Sequence, residues 1–324
     1  MLSFPDFNYK QIAIHIAGGS GERLRFRADN IFIQDKEEKV LFQHSCHKMF
    51  ALFIIGEVSL TSVAIRKSSA FSFPIILMNR NLRVYTKINC AAEGNTLLRF
   101  RQYTDKSRAT LTAQELISQK LNNQAALLRS LRYRSEKDKE AEKFIKSLRP
   151  RDASETRELM GLEGVASHLF FETYFRPLGW TRREPRCKRD IYNLLLDIGY
   201  TYLFHFVEAM LSLYGFDLYC GVLHTFFYHR KSLVCDIVEP FRCIIDRRLR
   251  KAYNLRQINP EDFSLDNHQY RLNWGKQEHY SRLFLKDILE NKEAIFRFCQ
   301  AYYRWVMLEK PIEEFPKFEI KPQE

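Results

Sequence analysis

Gly161-Leu162-Glu163-Gly164-Val165-Ala166-Ser167, followed after an apolar run by Tyr174-Phe175, is the stretch whose reading decides the fold. Apolar positions recur at i, i+3 and i+4 through residues 155–215, so the pattern predicts helix. Inside it Glu163 is an ionisable group among apolar and aromatic neighbours, where a charge is costly to bury unless it is paired or holds a metal. The small residues that follow it leave room for another helix or a DNA backbone to approach closely. A carboxylate that merely complements a helix dipole is the bland reading of the same position.

Working outward, helical spacing returns at residues 278–309 and in Leu116, Ile117, Leu121, Ala126, Leu127 and Leu131. Thr112-Ala113-Gln114-Glu115 reads as the cap of that earlier helix, and the charged residues 135–143 as a solvated helix face or loop. The amino-terminal part has a different period. Short apolar runs at 13–17, 30–35, 50–55 and 83–88, punctuated by Gly and Asn, predict strands. Gly18-Gly19-Ser20-Gly21 lacks the GK[ST] ending of a phosphate-binding loop and reads as a hairpin tip. The segment from Pro311, with Pro316 and Pro322, cannot continue a helix and is expected to be extended or mobile. The expected fold class is therefore α+β. A small β-rich domain spans 1–94, a larger all-helical domain spans 95–310, and an extended tail covers 311–324.

The 324 residues suffice for two domains, and 45% hydrophobic content is that of a folded globular chain. A formal net charge of +12 points toward a polyanionic partner, a merely basic protein being the alternative. Clustering favours the partner: Arg182, Arg183, Arg186, Lys188 and Arg189 lie together, as do Arg247, Arg248, Arg250 and Lys251. The 26 Phe and 16 Tyr exceed what a stacking platform needs, so most belong to the core. The 7 cysteines form no CxxC pair, which argues against structural zinc and fits reduced thiols. No apolar run reaches membrane-spanning length and no leader pattern opens the chain, so a cytoplasmic protein with no membrane partner is expected.

Two further segments end on metal-binding side chains: Gly221-Val222-Leu223-His224 and Cys235-Asp236-Ile237-Val238-Glu239. Asp236 and Glu239, three apart, share one face if helical and could grip one cation; Pro240 fits a first-turn position, where both acids would simply complement a dipole. A lone histidine on an apolar face is more often a satisfied core residue than a ligand. With Glu163, three carboxylates and one imidazole make an oxygen-rich set suited to Mg2+ or Mn2+. In so basic a chain, the natural substrate of such an ion is a phosphodiester.

These segments also resemble one family in order and wording. The GxEGxA…YF-type run at 161–175 is similar to the signature of the CRISPR-associated integrase family that captures new spacers, Cas-one. The likeness continues through Asp190-Ile191-Tyr192-Asn193-Leu194-Leu195, Gly199-Tyr200-Thr201-Tyr202-Leu203, Gly221 to His224, Asp236 to Arg242, and Gln257-Ile258-Asn259-Pro260-Glu261-Asp262-Phe263. More loosely it includes Ile55-Gly56-Glu57-Val58-Ser59-Leu60-Thr61-Ser62 and Phe73-Pro74-Ile75.

The resemblance implies that Glu163, His224 and Asp236 bind the metal, with Glu239 a companion ligand, directly or through a water. Tyr200 would contact the scissile phosphate or orient the attacking group, a packed core tyrosine being the alternative. Arg242 and Arg256 would clamp phosphates. Arg182, Arg183, Arg186, Arg189, Arg247 and Arg248 would neutralise duplex backbone, with surface ion pairing as the alternative. His205, His229 and His268 have no such support and are expected to be structural. The implied activity joins the 3′-hydroxyl ends of short double-stranded DNA (spacer precursors) into a CRISPR repeat. It also implies a homodimer formed through the β-rich domain, and a small subunit, Cas-two, bridging two dimers, with the tail as a candidate arm for it. A metal nuclease that cuts without joining, or a non-catalytic DNA-binding subunit, are the rival readings.

Overall fold

The computed structural model describes residues 9–19, 21–79, 84–88, 95–180, 182–224 and 228–321. The chain divides into two compact units. One holds Met1–Glu93 with the short segments Ser212–Tyr214 and Trp274–Glu278; the other holds Gly94–Leu211, Gly215–Asn273 and His279–Glu324.

The first unit runs β1 (Gln11–Ile16), β2 (Arg23–Arg27), β3 (Asn30–Gln34), β4 (Val40–Ser45), β5 (Met49–Ile55), α1 (Ser62–Ala70), β6 (Ile75–Met78) and β7 (Val84–Ile88). Strand β5 is apolar and buried at every position because it lies inside a four-stranded sheet, parallel to both β1 and β6. A continuous apolar run is what a strand covered on both faces requires. Strands β2, β3 and β4 form a second, antiparallel sheet. There Leu24, Ile31 and Ile33 point inward while Arg23, Arg25 and Arg27 are exposed, the alternation of a half-covered sheet. Helix α1, capped by Thr61, lays Ala64 on the same core.

The strands expected at 30–35 and 50–55 are found within a residue, 13–17 begins two residues earlier, and 83–88 appears as β7 with Arg83 outside the described residues. Helix α1 and strands β2, β4 and β6 are additional to the strands expected from the sequence. The glycine loop at 18–21 is not a hairpin tip, since it links strands of different sheets; Ser20 lies outside the described residues. Glu22 fills it, accepting from the Gly18 N–H at 2.7 Å and pairing with His15 at 2.5 Å, so a carboxylate stands where a phosphate cradle would need to be empty.

The second unit contains α2 (Thr96–Thr104), α3 (Lys106–Arg129), α4 (Glu136–Ser147), α5 (Thr156–Tyr174), α6 (Ile191–Ser212), α7 (Ser232–Ile237), α8 (Arg242–Asn254), β8 (Phe263–Asp266), β9 (Gln269–Leu272), α9 (Gln277–Glu290) and α10 (Lys292–Met307). Its β8–β9 hairpin corrects the expectation of an all-helical domain. The 24-residue α3 is the hub: α4, α5, α8 and the turn at Glu239 pack on it. It starts earlier than Thr112, because the Asp105 side chain accepts the Arg108 N–H and caps it there. The charged residues 135–143 begin α4, with a capping box between Ser135 and Asp138.

Helix α6 corrects another expectation. It is long and apolar enough by composition to cross a membrane, but 83% of its most apolar window is buried within the protein, as in a core helix. Gly199 on α6 has a packing reason: a Cβ there would come within 2.5 Å of Ile245 on α8 and 2.9 Å of Phe284 on α9. Cys46, Cys187, Cys220, Cys235, Cys243 and Cys299 are free thiols, and Cys90 lies outside the described residues.

Residues 316–321 are extended and bound along α3, with Pro322 outside the described residues. Two amides of α3 clasp this segment as a neighbouring strand would. Gln119 donates to Pro316 O at 2.9 Å and accepts from Phe318 N at 2.9 Å; Asn123 donates to Phe318 O at 3.1 Å and accepts from Ile320 N at 2.9 Å. Phe318 and Ile320 are buried and Lys317, Glu319 and Lys321 exposed, the period of a strand with one covered face.

Candidate active site

The acids and the histidine predicted from the sequence all fall in the second unit, around α3. Glu163 projects from the middle of α5, and Glu239 opens a 3-10 turn leading into α8. Both carboxylates reach the same Lys120 ammonium on α3. Lys120 Nζ donates to Glu163 Oε1 and, at 2.6 Å, to Glu239 Oε2. Ser167 donates to Glu163 Oε1 at 2.8 Å, and Arg242 Nε to Glu239 Oε1 at 3.0 Å. The Lys120 and Glu239 side chains are 8% and 5% exposed, whereas Glu163, at 28%, opens to solvent.

Burial and charge compete at these groups. Burial alone would raise the Glu239 carboxyl, but Arg242 and Lys120, with a smaller contribution from His224, outweigh it and hold the group down at about 2. Burial would equally discharge Lys120, yet Glu239 and Glu163 hold its ammonium above the ordinary lysine range. The cluster is therefore ionic: two carboxylates against one ammonium and one guanidinium.

Asp236 and Glu239 do not form the shared helical face expected of them. Asp236 lies near the end of the short α7 and is fully buried, and its two oxygens are already taken. Oδ2 accepts the N–H groups of Val222 at 2.6 Å and Leu223 at 3.0 Å; Oδ1 accepts the His224 N–H at 3.1 Å and meets His224 Nδ1 at 2.5 Å. Facing a carboxylate, Nδ1 carries the proton, which leaves the Nε2 lone pair of the 20%-exposed His224 as its remaining ligand atom. Asp236 thus fixes the 221–224 loop and the imidazole. Gly221 is required for this fit, since a Cβ would come within 2.5 Å of Ser232 Cβ and 2.7 Å of Asp236 Oδ2.

Tyr200 is part of the core. Its hydroxyl donates to Asp246 on α8, and Arg242 and Arg183 stack over its ring at 4.8 and 5.5 Å. Burial drives the Tyr200 phenol well above its ordinary range and lifts the Asp246 carboxyl to about 7. Arg242 supports Glu239 and Tyr200 and is no free phosphate clamp. Arg183 is held by Asn193 at 2.7 Å and Asp197 at 2.5 Å, while Arg182 and Arg189 share Glu184. Arg186 remains exposed, and its N–H is anchored on Asp197. Arg248 is buried against Asp287 and Gln257. His205 pairs with Glu208 at 2.9 Å, the structural role expected.

Arg247 and Arg256 instead line an open cleft of about 1810 Å3 between α3, α8 and the clasped 317–321 segment. Its charged residues are Lys and Arg apart from Glu115 and Glu319, and Tyr133, Tyr192 and Tyr253 stand among them. None of Glu163, His224, Asp236 and Glu239 lines it. The predicted basic surface is therefore redistributed: most arginines at 182–189 are committed to ion pairs, and the basic groove lies along α3 and α8.

Helix α5 is open beside Glu163. A Cβ added at Gly161 or Gly164 would meet nothing within 4 Å, and Val165 is 53% exposed. Lys120 is the residue that sequence reasoning missed. It sits four residues after Leu116 and three after Ile117, on the apolar face of α3, which is the same misplaced-charge signal that singles out Glu163.

Fold and site define a protein with a β-rich unit and a mainly helical unit that carries a buried acidic and cationic cluster. The sequence model of the family "CRISPR associated protein Cas1" matches residues 16–286, and the chain belongs to that family, written Cas-one above. Among similar proteins is a CRISPR-associated endonuclease Cas1 of Thermodesulfovibrio yellowstonii, 27% identical over 80% of this chain and 80% of that one. Another, from Archaeoglobus fulgidus, is 27% identical over 86% and 88%. Similar solved structures include a casposase bound to integration product (19% identical, TM-score 0.81, covering 97% and 95%) and a Cas1 protein from Thermotoga maritima (20%, 0.79, 92% and 97%). A chain of a Cas6-RT-Cas1–Cas2 complex matches with TM-score 0.81 and 20% identity over 96% of this chain, which spans 36% of that one. At such identities these structures establish the fold alone.

The donor chemistry fits the divalent cation that the family implies. Two carboxylates from separate elements already converge on one positive charge, and an imidazole with its Nδ1 fixed stands by. Among the described residues no three such donors form a ready-made cage, and Lys120 takes the place between the carboxylates.

Proposed function

We propose that this chain is a metal-dependent DNA integrase of CRISPR adaptation, joining the 3′-hydroxyl ends of short duplexes to a repeat by exchange of phosphodiesters. One observation carries the reading: Glu163 and Glu239, far apart in sequence, meet at one cationic point beside a histidine whose ring a buried aspartate has fixed. Glu163, Glu239 and His224 would hold Mg2+ or Mn2+, with Asp236 acting through His224. This reverses the weight that sequence gave the acidic pair, because the Asp236 oxygens are bound by the 222–224 backbone and the His224 ring, whereas those of Glu239 face the side-chain cations Lys120 and Arg242. When bound, the cation would offset charge building on the phosphate and favour ionisation of the attacking hydroxyl.

The chain's own residues have assignable tasks. Arg242 keeps Glu239 ionised and aimed. The basic cleft lined by Arg247 and Arg256 would hold duplex backbone without reading bases. The open face at Gly161 and Gly164 would let a strand pass next to Glu163. A homodimer through the β-rich unit, a bridging Cas-two subunit and a cytoplasmic location belong to the same reading. For the DNA and Cas-two partners, support comes from similar structures described as a casposase bound to integration product, a Cas1–DNA complex and a complex that contains Cas1 and Cas2.

The test is strand transfer. A labelled duplex with free 3′-hydroxyls is mixed with a repeat-bearing supercoiled plasmid and the small subunit, in Mg2+, Mn2+ or EDTA. Label joined only with metal, and lost in Glu163→Ala and His224→Ala, is the expected result. Shortening without joining would replace this reading with the plain nuclease, and joining in EDTA would overturn the metal site.

A further inference from the structure

Lys120 is a buried lysine at the centre of the cluster that the joining reaction does not explain. Its ammonium meets Glu163 and Glu239, and Arg242 is the second cation of the cluster, paired with Glu239. These four side chains are neutral together, two carboxylates against two cations, with the Asp236 carboxylate apart from them, bound by His224 and its loop. A divalent ion added between the same carboxylates would leave two positive charges in excess, at a place where the Lys120 and Glu239 side chains are only 8% and 5% exposed. Buried charge is tolerated only when matched.

We propose that Lys120 is the site's resident counter-cation, a positioning residue that keeps Glu163 and Glu239 converged when no metal is present and yields both carboxylates to a divalent ion. Metal uptake is then a cation exchange within the protein. The inference rests on the metal-dependent reading above and deepens it. The freed ammonium stays tethered to α3 beside the loaded carboxylates, where the compensating anion is an incoming phosphodiester. Binding of metal and of DNA therefore reinforce each other, because the exchange leaves positive charge that the phosphate neutralises.

The test measures Mn2+ affinity by electron paramagnetic resonance, and thermal unfolding with and without Mn2+, on the full chain. Lys120→Met and Lys120→Gln run beside wild type and Glu163→Gln. Without the competing ammonium, Mn2+ binds about a hundredfold tighter, equivalent to the roughly 3 kcal/mol of a broken buried ion pair. The Lys120 variants also melt lower than wild type without metal and regain more on adding Mn2+. If they fold but bind Mn2+ no tighter than wild type, Lys120 does not compete and the exchange is refuted. If they fold only with Mn2+, the ion replaces the ammonium and the proposal stands. Failure to fold with or without Mn2+ gives Lys120 a task no ion can take over, which also refutes it. Wild-type affinity in Glu163→Gln sinks the metal reading itself, a distinguishable failure.

Discussion

Gly161 and Gly164 each sit inside a 19-residue helix with nothing within 4 Å of an added Cβ. Glycine in a helix interior costs about 0.5–1 kcal/mol relative to alanine, and here no packing within the chain offsets it. Gly161→Ala with Gly164→Ala should therefore stabilise the protein by about 1–2 kcal/mol. At about 2–4 °C per kcal/mol for a domain of this size, Tm rises by about 2–8 °C. If a DNA backbone passes over this face beside Glu163, the two methyl groups crowd it. A crowding cost of about 1–3 kcal/mol would slow joining by about tenfold or more. The assay is differential scanning calorimetry paired with initial rates of strand transfer at saturating metal. A higher Tm with an unchanged rate would refute passage of a strand over α5, and a lower Tm would refute the open-face reading altogether.

Asp236→Asn frees the imidazole it now orients, and activity or Mn2+ affinity should fall by about 10–100-fold while Glu163 and Glu239 are untouched; equal affinity would return Asp236 to a purely structural part. Asp246 should make stability pH-dependent. Its folded pKa of about 7 lies above the ordinary carboxylate value, so stability is greatest below that ordinary value and is lost as pH rises toward 7. The Tm of Asp246→Asn minus that of wild type should accordingly climb between pH 5 and 7.5 and then level off, and a flat difference would contradict it. Two arginines that look alike in sequence should part company. Arg256→Ala should lower the salt slope of duplex binding by about 1 and leave Tm unchanged, whereas Arg248→Ala should cost about 3–5 kcal/mol of stability through unpaired Asp287. Comparing both readouts on both variants decides the matter. Asn123→Ala removes the bonds that tie α3 to Pro240, Phe318 and Ile320, and proteolysis within 312–321 should accelerate while β5 stays protected.

Much of the fold was legible because its pattern is local. The apolar period of α5, α6, α9 and α10 and the continuous run of β5 mark their elements whatever they pack against. Strands β2 and β4 were not, since alternating Arg and apolar residues in β2 become strand only when paired with β3. At the site, sequence found Glu163, His224, Asp236 and Glu239 but placed Asp236 ahead of Glu239. Whether a carboxylate faces a cation or a loop's N–H groups depends on the 222–224 backbone folding over α7, a contact no spacing encodes. The ion pairs of Arg183 and Arg248 were hidden for a similar reason, because the acids that neutralise them, Asp197 and Asp287, lie on other helices. Lys120 carried the right signal, a charge on an apolar face, but lysine is common on helices and its partners are 43 and 119 residues away.

The clasp of residues 316–320 by Gln119 and Asn123 has a consequence for how the protein is made. Asn123 donates both to Phe318 O and, at 3.0 Å, to Pro240 O, the residue after Glu239. One amide therefore joins the turn that carries Glu239 to a segment that leaves the ribosome well after it. Synthesis runs from the amino end and domains fold as they emerge. A nascent chain interrupted before Phe318 would already contain Lys120, Glu163, His224 and Glu239, yet would lack the strap that shares Asn123 with their scaffold. The turn that carries Glu239 therefore lacks one of its shared anchors until residues 316–320 have been made.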